Sequence, residues 1–337
     1  MDLETKAHLL SIGTVQVQMQ KQTHKQMPGK DGRTSTAGPG AGGQSIFFQS
    51  GPHIVRLSVQ PSSPLRIESC SGDSEITDCF SILEGSREVA RGRLVEPLLH
   101  CPQQAYITVS ERCIYDCKFC AVPRLQGSIK SKDTILQMTE EAARTGKMKA
   151  ISLTSGVEVS PRHEAMRVAE IVRELSRFKV PIGVSISPFP GVNRILHEAG
   201  AKEVKYNLEC ADAGIFSRVC PGISYQDIMD ALVEAVGIFG KNRVFTNIIV
   251  GLGESDQSLR ECIDELTGKG IIPVLRAVYP HPLRKGAALM ERPGEIRLLD
   301  LARYLKSALK KNGLDGSLAL TGCYRCTGCD LIPGRDL

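Results

Sequence analysis

Two knots of cysteine carry most of the chemistry legible in this sequence. The first, SERCIYDCKFCAVPRLQG, places Cys113, Cys117 and Cys120 four and three positions apart. The second, TGCYRCTGCDLIPGRDL, places Cys323, Cys326 and Cys329 in Cys-x2-Cys-x2-Cys spacing. Three thiolates this close along the chain can hold three irons of a cubane cluster and leave the fourth iron open to another ligand. A tetrahedral zinc site needs a fourth donor, which the first segment does not supply. The spacing i, i+4, i+7 is also one face of a helix, but a core stripe would mix Leu, Ile and Val with Cys. For the second knot two readings stand: a structural zinc or iron site that pins the tail with a ligand from elsewhere, or an auxiliary iron–sulfur cluster. Gly322 and Gly328 allow a tight turn around either. The other six cysteines, Cys70, Cys79, Cys101, Cys210, Cys220 and Cys262, are scattered and read as small buried hydrophobes.

These residues must be positioned by a chain long enough to build a large core. It has 337 residues, 42% hydrophobic and 23% charged, which is ordinary for a folded protein and excludes disorder throughout. The net charge of +5 is a mild excess spread over the chain, which neither excludes nor argues strongly for a nucleic-acid partner, since a dedicated binder concentrates its charge in a patch. No apolar run approaches the ~20 residues that span a bilayer, and the start, Met1 to Glu4, is acidic where a signal peptide is basic. The expectation is a cytoplasmic protein without a membrane partner, whose thiols persist as metal ligands or catalysts in a reducing compartment.

Residues 1–45 are Gln-rich and then Gly/Ser/Thr/Pro-rich, which predicts a disordered or low-complexity arm. Residues 46–100 carry short β-like runs divided by turn clusters, which predicts a small β-rich N-terminal region. From about residue 101 to 285, six apolar runs (105–109, 150–155, 181–187, 203–209, 244–253, 271–280) alternate with amphipathic stretches (131–145, 161–177, 191–199, 224–239, 255–269). Ser131, Ser160, Ser224 and Ser255 stand where N-caps belong. The alternation predicts an α/β architecture with a parallel sheet. Six units are too few for a closed eight-stranded barrel, so the expected fold is a partial (β/α)6 TIM-type barrel with its site at the strand C-terminal ends. Residues 286–337 supply one more helix and the cysteine-rich tail.

Cys113, Cys117 and Cys120, with Phe119 before the last cysteine and the first barrel strand just upstream, resemble the radical S-adenosylmethionine superfamily. The resemblance implies a [4Fe-4S] cluster whose open iron is chelated by S-adenosylmethionine, and reductive cleavage to a 5′-deoxyadenosyl radical that abstracts hydrogen from carbon. It extends to LTSGV, where Gly156 with Thr154 and Ser155 stands in place of the family's Gly-Gly-Glu beside the methionine amino group. It extends also to NIIVGLGE, where Ile249, Gly251 and Leu252 correspond to the adenine-packing motif, Glu254 matches, and Asn247 replaces the commoner Gly. KYNLECADAGIFSRVCPGISYQDIMDAL is similar to lipoyl synthase and, less, to biotin synthase. That similarity implies Asn207 and Glu209 at the cofactor and Arg218 near its carboxylate. Read as residues alone, Asn207 and Glu209 alternate to one face near a strand's C-terminal end; they suit a ribose diol, or are two solvated polar groups.

Lipoyl and biotin synthases carry a second cluster whose sulfide enters the substrate, so the same resemblance implies an auxiliary iron–sulfur cluster in the tail. The pattern departs from lipoyl synthase, because Cys70, Cys79 and Cys101 have the wrong spacings and the chain ends Arg335, Asp336, Leu337 instead of carrying a near-terminal serine. The expected activity is therefore anaerobic radical chemistry, with sulfur insertion as its outcome. The rivals are a radical methylase or carbon-skeleton enzyme, and a non-catalytic iron–sulfur or zinc module that binds nucleic acid. Expected partners are a reductant such as ferredoxin or flavodoxin, and a partner subunit or a protein or peptide substrate. Arg276, Tyr279 and His281 are candidate substrate contacts.

Overall fold

The computed structural model describes residues 1–17, 44–70 and 79–337. Six parallel strands form one sheet in chain order: β7 (Gln104–Thr108), β8 (Ala150–Thr154), β9 (Ile182–Ser185), β10 (Glu203–Lys205), β11 (Val244–Val250) and β12 (Ile272–Ala277). Every adjacent pair is parallel, and β7 and β12 are edges, so the barrel stays open along one side. This is the partial (β/α)6 barrel expected from the alternation. All seven residues of β11 are buried, as befits a central parallel strand covered on both faces.

The helices between strands are α2 (Lys132–Arg144), α3 (Pro161–Leu175), α4 (Val192–Ala199), α5 (Ala213–Val219), α6 (Tyr225–Phe239) and α7 (Asp256–Gly268). Ser131, Ser160, Ser224 and Ser255 each accept a hydrogen bond from the backbone N–H three residues on, the geometry of an N-cap. The apolar faces of these helices meet Ile107, Ile151, Leu153, Val184 and Ile248 in one core.

A second core lies in a closed six-stranded barrel, β1 (Thr14–Val17), β2 (Ser45–Ser50), β3 (His53–Val59), β4 (Leu65–Ser69), β5 (Phe80–Glu84) and β6 (Arg87–Val95), in the order β1-β3-β2-β6-β5-β4. The short β1 closes it, running parallel to both β3 and β4. Before it comes α1 (Leu3–Ile12), capped by Asp2 and ended by Gly13 at φ 71°. The expectation of a disordered arm over 1–45 therefore fails for residues 1–17. Leu9, Leu10 and Ala7 are buried against α8 (Glu295–Lys311) and β3, and a short helix with such a face is ordered by packing that low-complexity composition downstream conceals. The remainder of that expectation, 18–43, lies outside the described residues. Cys70 and Cys79 also depart from the buried-hydrophobe reading: they pair as a disulfide at the loop end of the β4/β5 hairpin, just beyond the Ser69–Phe80 pair, where Cys70 N–H also meets the Cys79 carbonyl.

The tail folds under the large barrel. It carries α9 (Gly322–Cys326), and the neighbouring backbone docks on the N-terminal ends of the strands. The Glu203 carboxylate accepts the Leu320 and Thr321 N–H groups and the Thr321 hydroxyl at 2.7–2.8 Å, and it pairs with Arg243. A Cβ on Gly183, in the middle of β9, would lie 2.0 Å from Thr321 Oγ1, so only glycine admits the tail there. No described helix is long and apolar enough to cross a membrane.

Candidate functional site

The strand C-terminal ends form the mouth of the barrel, and the first cysteine loop begins there, just after β7. Backbone bonds fix its path: Ile114 N–H to Val157 at 2.7 Å, Lys118 N–H to Val219 at 2.7 Å, and Cys120 N–H to Cys117 at 3.0 Å. Cys113, Cys117 and Cys120 are half-buried free thiols close enough to raise one another's proton affinity. Burial pushes Cys113 up and Cys120 to about 12, while Cys117 is raised first by the thiol of Cys220 and then by burial. Such thiols ionise only when a metal supplies the compensating charge.

Two residues that the sequence reading missed hold the loop in place. Arg284 is buried at 2% exposure, donates to the Cys120 carbonyl at 2.5 Å and pairs with Asp116 at 2.7 Å. Asp116 also receives Lys118 and Arg124, and these donors, Lys118 first and Arg284 next, hold its carboxyl down at about 2. The two partners stand 168 positions apart, so no local pattern signals them.

Beside the loop, the chain kinks after β10. Glu209 adopts a left-handed conformation at φ 62°, gives its N–H to the Asn247 carbonyl and takes the Ile249 N–H, both at 2.8 Å. Desolvation drives its half-buried carboxyl up to about 7, against the opposing pull of Lys205, Asn207 and Arg276. Glu209 acts electrostatically on Cys117 and Cys120, which puts its carboxyl in the neighbourhood of the cysteine loop. Asn207 Oδ1 and Asn247 Oδ1 are buried without a hydrogen-bond partner, as is Arg284 Nη2.

The other sequence candidates are placed as follows. Gly156 gives its N–H to Ser110, and a Cβ there would lie 2.3 Å from the Arg112 carbonyl, so the cysteine loop passes directly over it. Thr154 ends β8 half-buried, while the Ser155 hydroxyl is already committed to Glu164 at 2.8 Å and to the Ser110 N–H at 3.1 Å. The Gly251 and Leu252 N–H groups are both taken by Glu254 at 2.7 Å, which shapes this turn from within. Ile249 is buried, and Phe119 packs against the main core. Arg218 is exposed on α5, one residue before the Val219 carbonyl that holds Lys118. Of the candidate substrate contacts, Arg276 turns toward the tail and pairs with Asp330 at 2.6 Å, and Tyr279 receives Gln60.

Cys323, Cys326 and Cys329 follow the tail backbone that docks on Glu203 and Gln104 at the strand N-terminal ends, and Lys205 and Arg276 stand between Cys323 and the Glu209 carboxyl, acting on both. Cys323 Sγ receives Arg276 at 3.2 Å and Lys205 at 3.8 Å. Above it is a small cavity of about 30 Å³ lined by Tyr106, Gly183, Lys205, Phe245 and Cys323. Cys101, Cys210 and Cys220 are buried as expected, but each lies in contact with another thiol.

Residues 107–266, from within β7 through most of α7, match the family model of the Radical SAM superfamily. The chain is 28% identical over 215 residues to a lipoyl synthase of Leifsonia xyli, an overlap covering 60% of this chain and 63% of that one. It is 28% identical over 229 residues to a biotin synthase of Desulfotalea psychrophila, covering 61% and 66%. Its resemblance thus lies on the biotin synthase/lipoyl synthase-like branch, while the chain spans less than two thirds of the length of these relatives. The crystal structure of methylornithine synthase superposes with a TM-score of 0.50 at 18% identity, covering 60% of this chain and 61% of that one, which shows a shared fold.

Proposed function

We propose that this protein is a radical S-adenosylmethionine enzyme whose reaction starts at the barrel mouth and ends in sulfur insertion of the lipoyl synthase type. The observation that carries the reading is the meeting, at parallel-strand C-terminal ends, of three free thiols with three buried polar atoms that lack partners. An unpaired buried polar atom costs about 1–3 kcal/mol, so keeping three beside one loop is best explained by ligand atoms that satisfy them. The donor set fits the group implied: Cys113, Cys117 and Cys120 would hold a [4Fe-4S] cluster, which with S-adenosylmethionine at its open iron supplies one-electron cleavage of the sulfonium and a 5′-deoxyadenosyl radical.

The chain's own residues do the rest. Asn207 and Glu209 offer an amide and a carboxyl to a ribose diol, and the unpaired Asn247 oxygen accepts a further donor. Arg284 and Asp116 keep the loop from moving when ligands exchange. Glu254 organises the Gly251–Leu252 turn in advance, so that its apolar surface meets a flat base without rearrangement. The docked tail closes the far end of the barrel. Electrons would come from a ferredoxin or flavodoxin, and the substrate carbon would enter from the mouth. Sulfur insertion draws its support from the relatives' branch and from the second cysteine group.

Anaerobic reconstitution tests the reading. Brown protein with about seven to eight irons and reductive formation of 5′-deoxyadenosine are expected. Loading with heavy sulfide should give product that carries the heavy isotope by mass spectrometry. Colourless protein with stoichiometric zinc would overturn the enzyme reading, and product without the isotope would overturn sulfur insertion alone.

A further inference from the structure

The scattered cysteine Cys101 sits in the last turn before β7, 1% exposed, with its carbonyl bonded to Leu98 and its backbone bridged to Gln104. Its thiol faces that of Cys326 within hydrogen-bonding range, and Cys323 and Cys329 lie near enough to act on it electrostatically. The cysteine of the tail and the cysteine before the first strand are more than two hundred residues apart, yet the backbone around them is already locked together. The Gln104 amide takes the Gly322 N–H at 2.8 Å and gives to the Gly322 carbonyl at 3.1 Å. The fully buried Lys6 donates to the Thr327 carbonyl at 2.7 Å, and Arg56 N–H donates to the Gly328 carbonyl at 2.7 Å.

We propose that Cys101, Cys323, Cys326 and Cys329 together hold a second iron–sulfur cluster at the floor of the barrel, with every iron ligand supplied by this chain. The proposal deepens the reading of the tail given above and rests on it only for the tail's being a metal site. Four thiolates are the ordinary ligand set of [2Fe-2S] and [4Fe-4S] clusters. A cluster so ligated is anionic, and Arg276 and Lys205 both donate to the Cys323 sulfur, at 3.2 and 3.8 Å, as hydrogen bonds to cluster sulfurs do. Geometry disfavours a single zinc ion. Zinc holds sulfur at about 2.3 Å, which brings each sulfur pair to roughly 3.8 Å. Among the described residues the three ligand atoms of Glu158, His163 and Glu164 lie within 4.8 Å of one another, whereas no three of these four thiols do. At the mouth, by comparison, Cys220 reaches Cys117 and Cys210.

The consequence is a division of labour. With all its positions filled, the floor cluster takes no S-adenosylmethionine, and the cofactor is confined to the mouth.

The experiment removes the mouth ligands first. Protein carrying Cys113→Ala, Cys117→Ala and Cys120→Ala, reconstituted anaerobically with iron and sulfide, should keep about four irons as a cubane or about two as [2Fe-2S]. Its reduced electron paramagnetic resonance signal should not move when S-adenosylmethionine is added. Adding Cys101→Ala should cut the iron to less than half, and Cys101→Ser, which offers oxygen in place of sulfur, should shift the signal. Cys262→Ala, a buried cysteine on α7, controls for the loss of a core thiol; should Cys101→Ala fail to fold, the signal of Cys101→Ser decides. Unchanged iron and spectrum in the Cys101 variants, stoichiometric zinc without iron, or a signal that S-adenosylmethionine shifts would each overturn the proposal. Failure of the mouth reading shows separately. Protein lacking Cys323, Cys326 and Cys329 would then bind no iron and form no 5′-deoxyadenosine, whatever the Cys101 variants do.

Discussion

The mouth and the floor of this barrel each gather a tight run of three cysteines, and the surroundings make them different chemical objects. At the mouth Cys113 and Cys120 are pushed up by burial and Cys117 first by the Cys220 thiol, the cations nearby are spent on Asp116, and buried oxygens on Asn207 and Asn247 lack partners. At the floor Cys101 and Cys329 are raised as well, but Cys326 is pulled down, first by the Cys101 thiol, and Arg276 and Lys205 donate directly to Cys323. One site waits for atoms from outside; the other is furnished from within. Cysteine spacing is nearly the same in both, so it is the ring around the sulfurs that sets the role.

The sharpest way to break the comparison is to remove one thiol from each site. Cys117→Ser should abolish reductive formation of 5′-deoxyadenosine, to background in a chromatographic assay, because the electron path to the sulfonium is lost. Cys326→Ser should leave cleavage detectable while product disappears. Equal loss of cleavage in both variants would show that the two sites are not distinct in function. Next in size is the clamp that holds the floor. Glu203 is 2% exposed and receives three bonds from Leu320 and Thr321. Glu203→Ala leaves these donors and Arg243 unpaired at a buried junction, so about 3 kcal/mol of stability should be lost. For a chain of this size that lowers the melting temperature by several degrees, read by calorimetry. A change within a degree would mean that the tail docks by other contacts.

Much of this arrangement was legible in the sequence wherever partners are close along the chain. The serine caps and the six strands are local signals, and the structure puts them close to the positions read, whereas Asn207 and Glu209, read at the end of a strand, lie beyond Lys205, where β10 ends and the chain kinks. What escaped reading is what the fold brings together from afar. Arg284 under the Cys120 carbonyl, Glu203 under the tail and Cys101 among the tail cysteines have no period or motif, because their meaning comes from a register set by the whole barrel. Helix α1 escaped for another reason: its apolar face is short, and the polar run that follows it dominates the composition of the segment.

A smaller effect sharpens the mouth. If Asn207 and Glu209 take the ribose, Glu209→Ala should weaken S-adenosylmethionine binding by about 2 kcal/mol, the cost of a lost charged hydrogen bond and an orphaned partner. Calorimetric titration of the reconstituted protein measures it. Unchanged affinity would detach the fourth-strand residues from the cofactor.

A pH dependence confined to the same residue gives a further test. Glu209 has its carboxyl raised to about 7 by desolvation, well above its ordinary carboxylate value. Between those two values the unfolded chain has released a proton that the folded chain still holds, so the folded state binds more protons and stability falls as pH rises through the window. Below the window both states are protonated and the contribution is fully present; above pH 7 both are ionised and the loss is complete. Each pH unit of displacement corresponds to about 1.4 kcal/mol. Glu209→Gln keeps the shape and cannot ionise, so its stability should stay flat where the wild type declines, and the two curves should diverge from about pH 4.5 to 7 in urea unfolding. The floor supplies the control, since Glu203→Gln alters a carboxyl that faces the tail and should leave the Glu209 divergence intact. Parallel curves for wild type and Glu209→Gln would mean that Lys205 and Arg276 neutralise the buried carboxylate, and that the mouth holds this group charged.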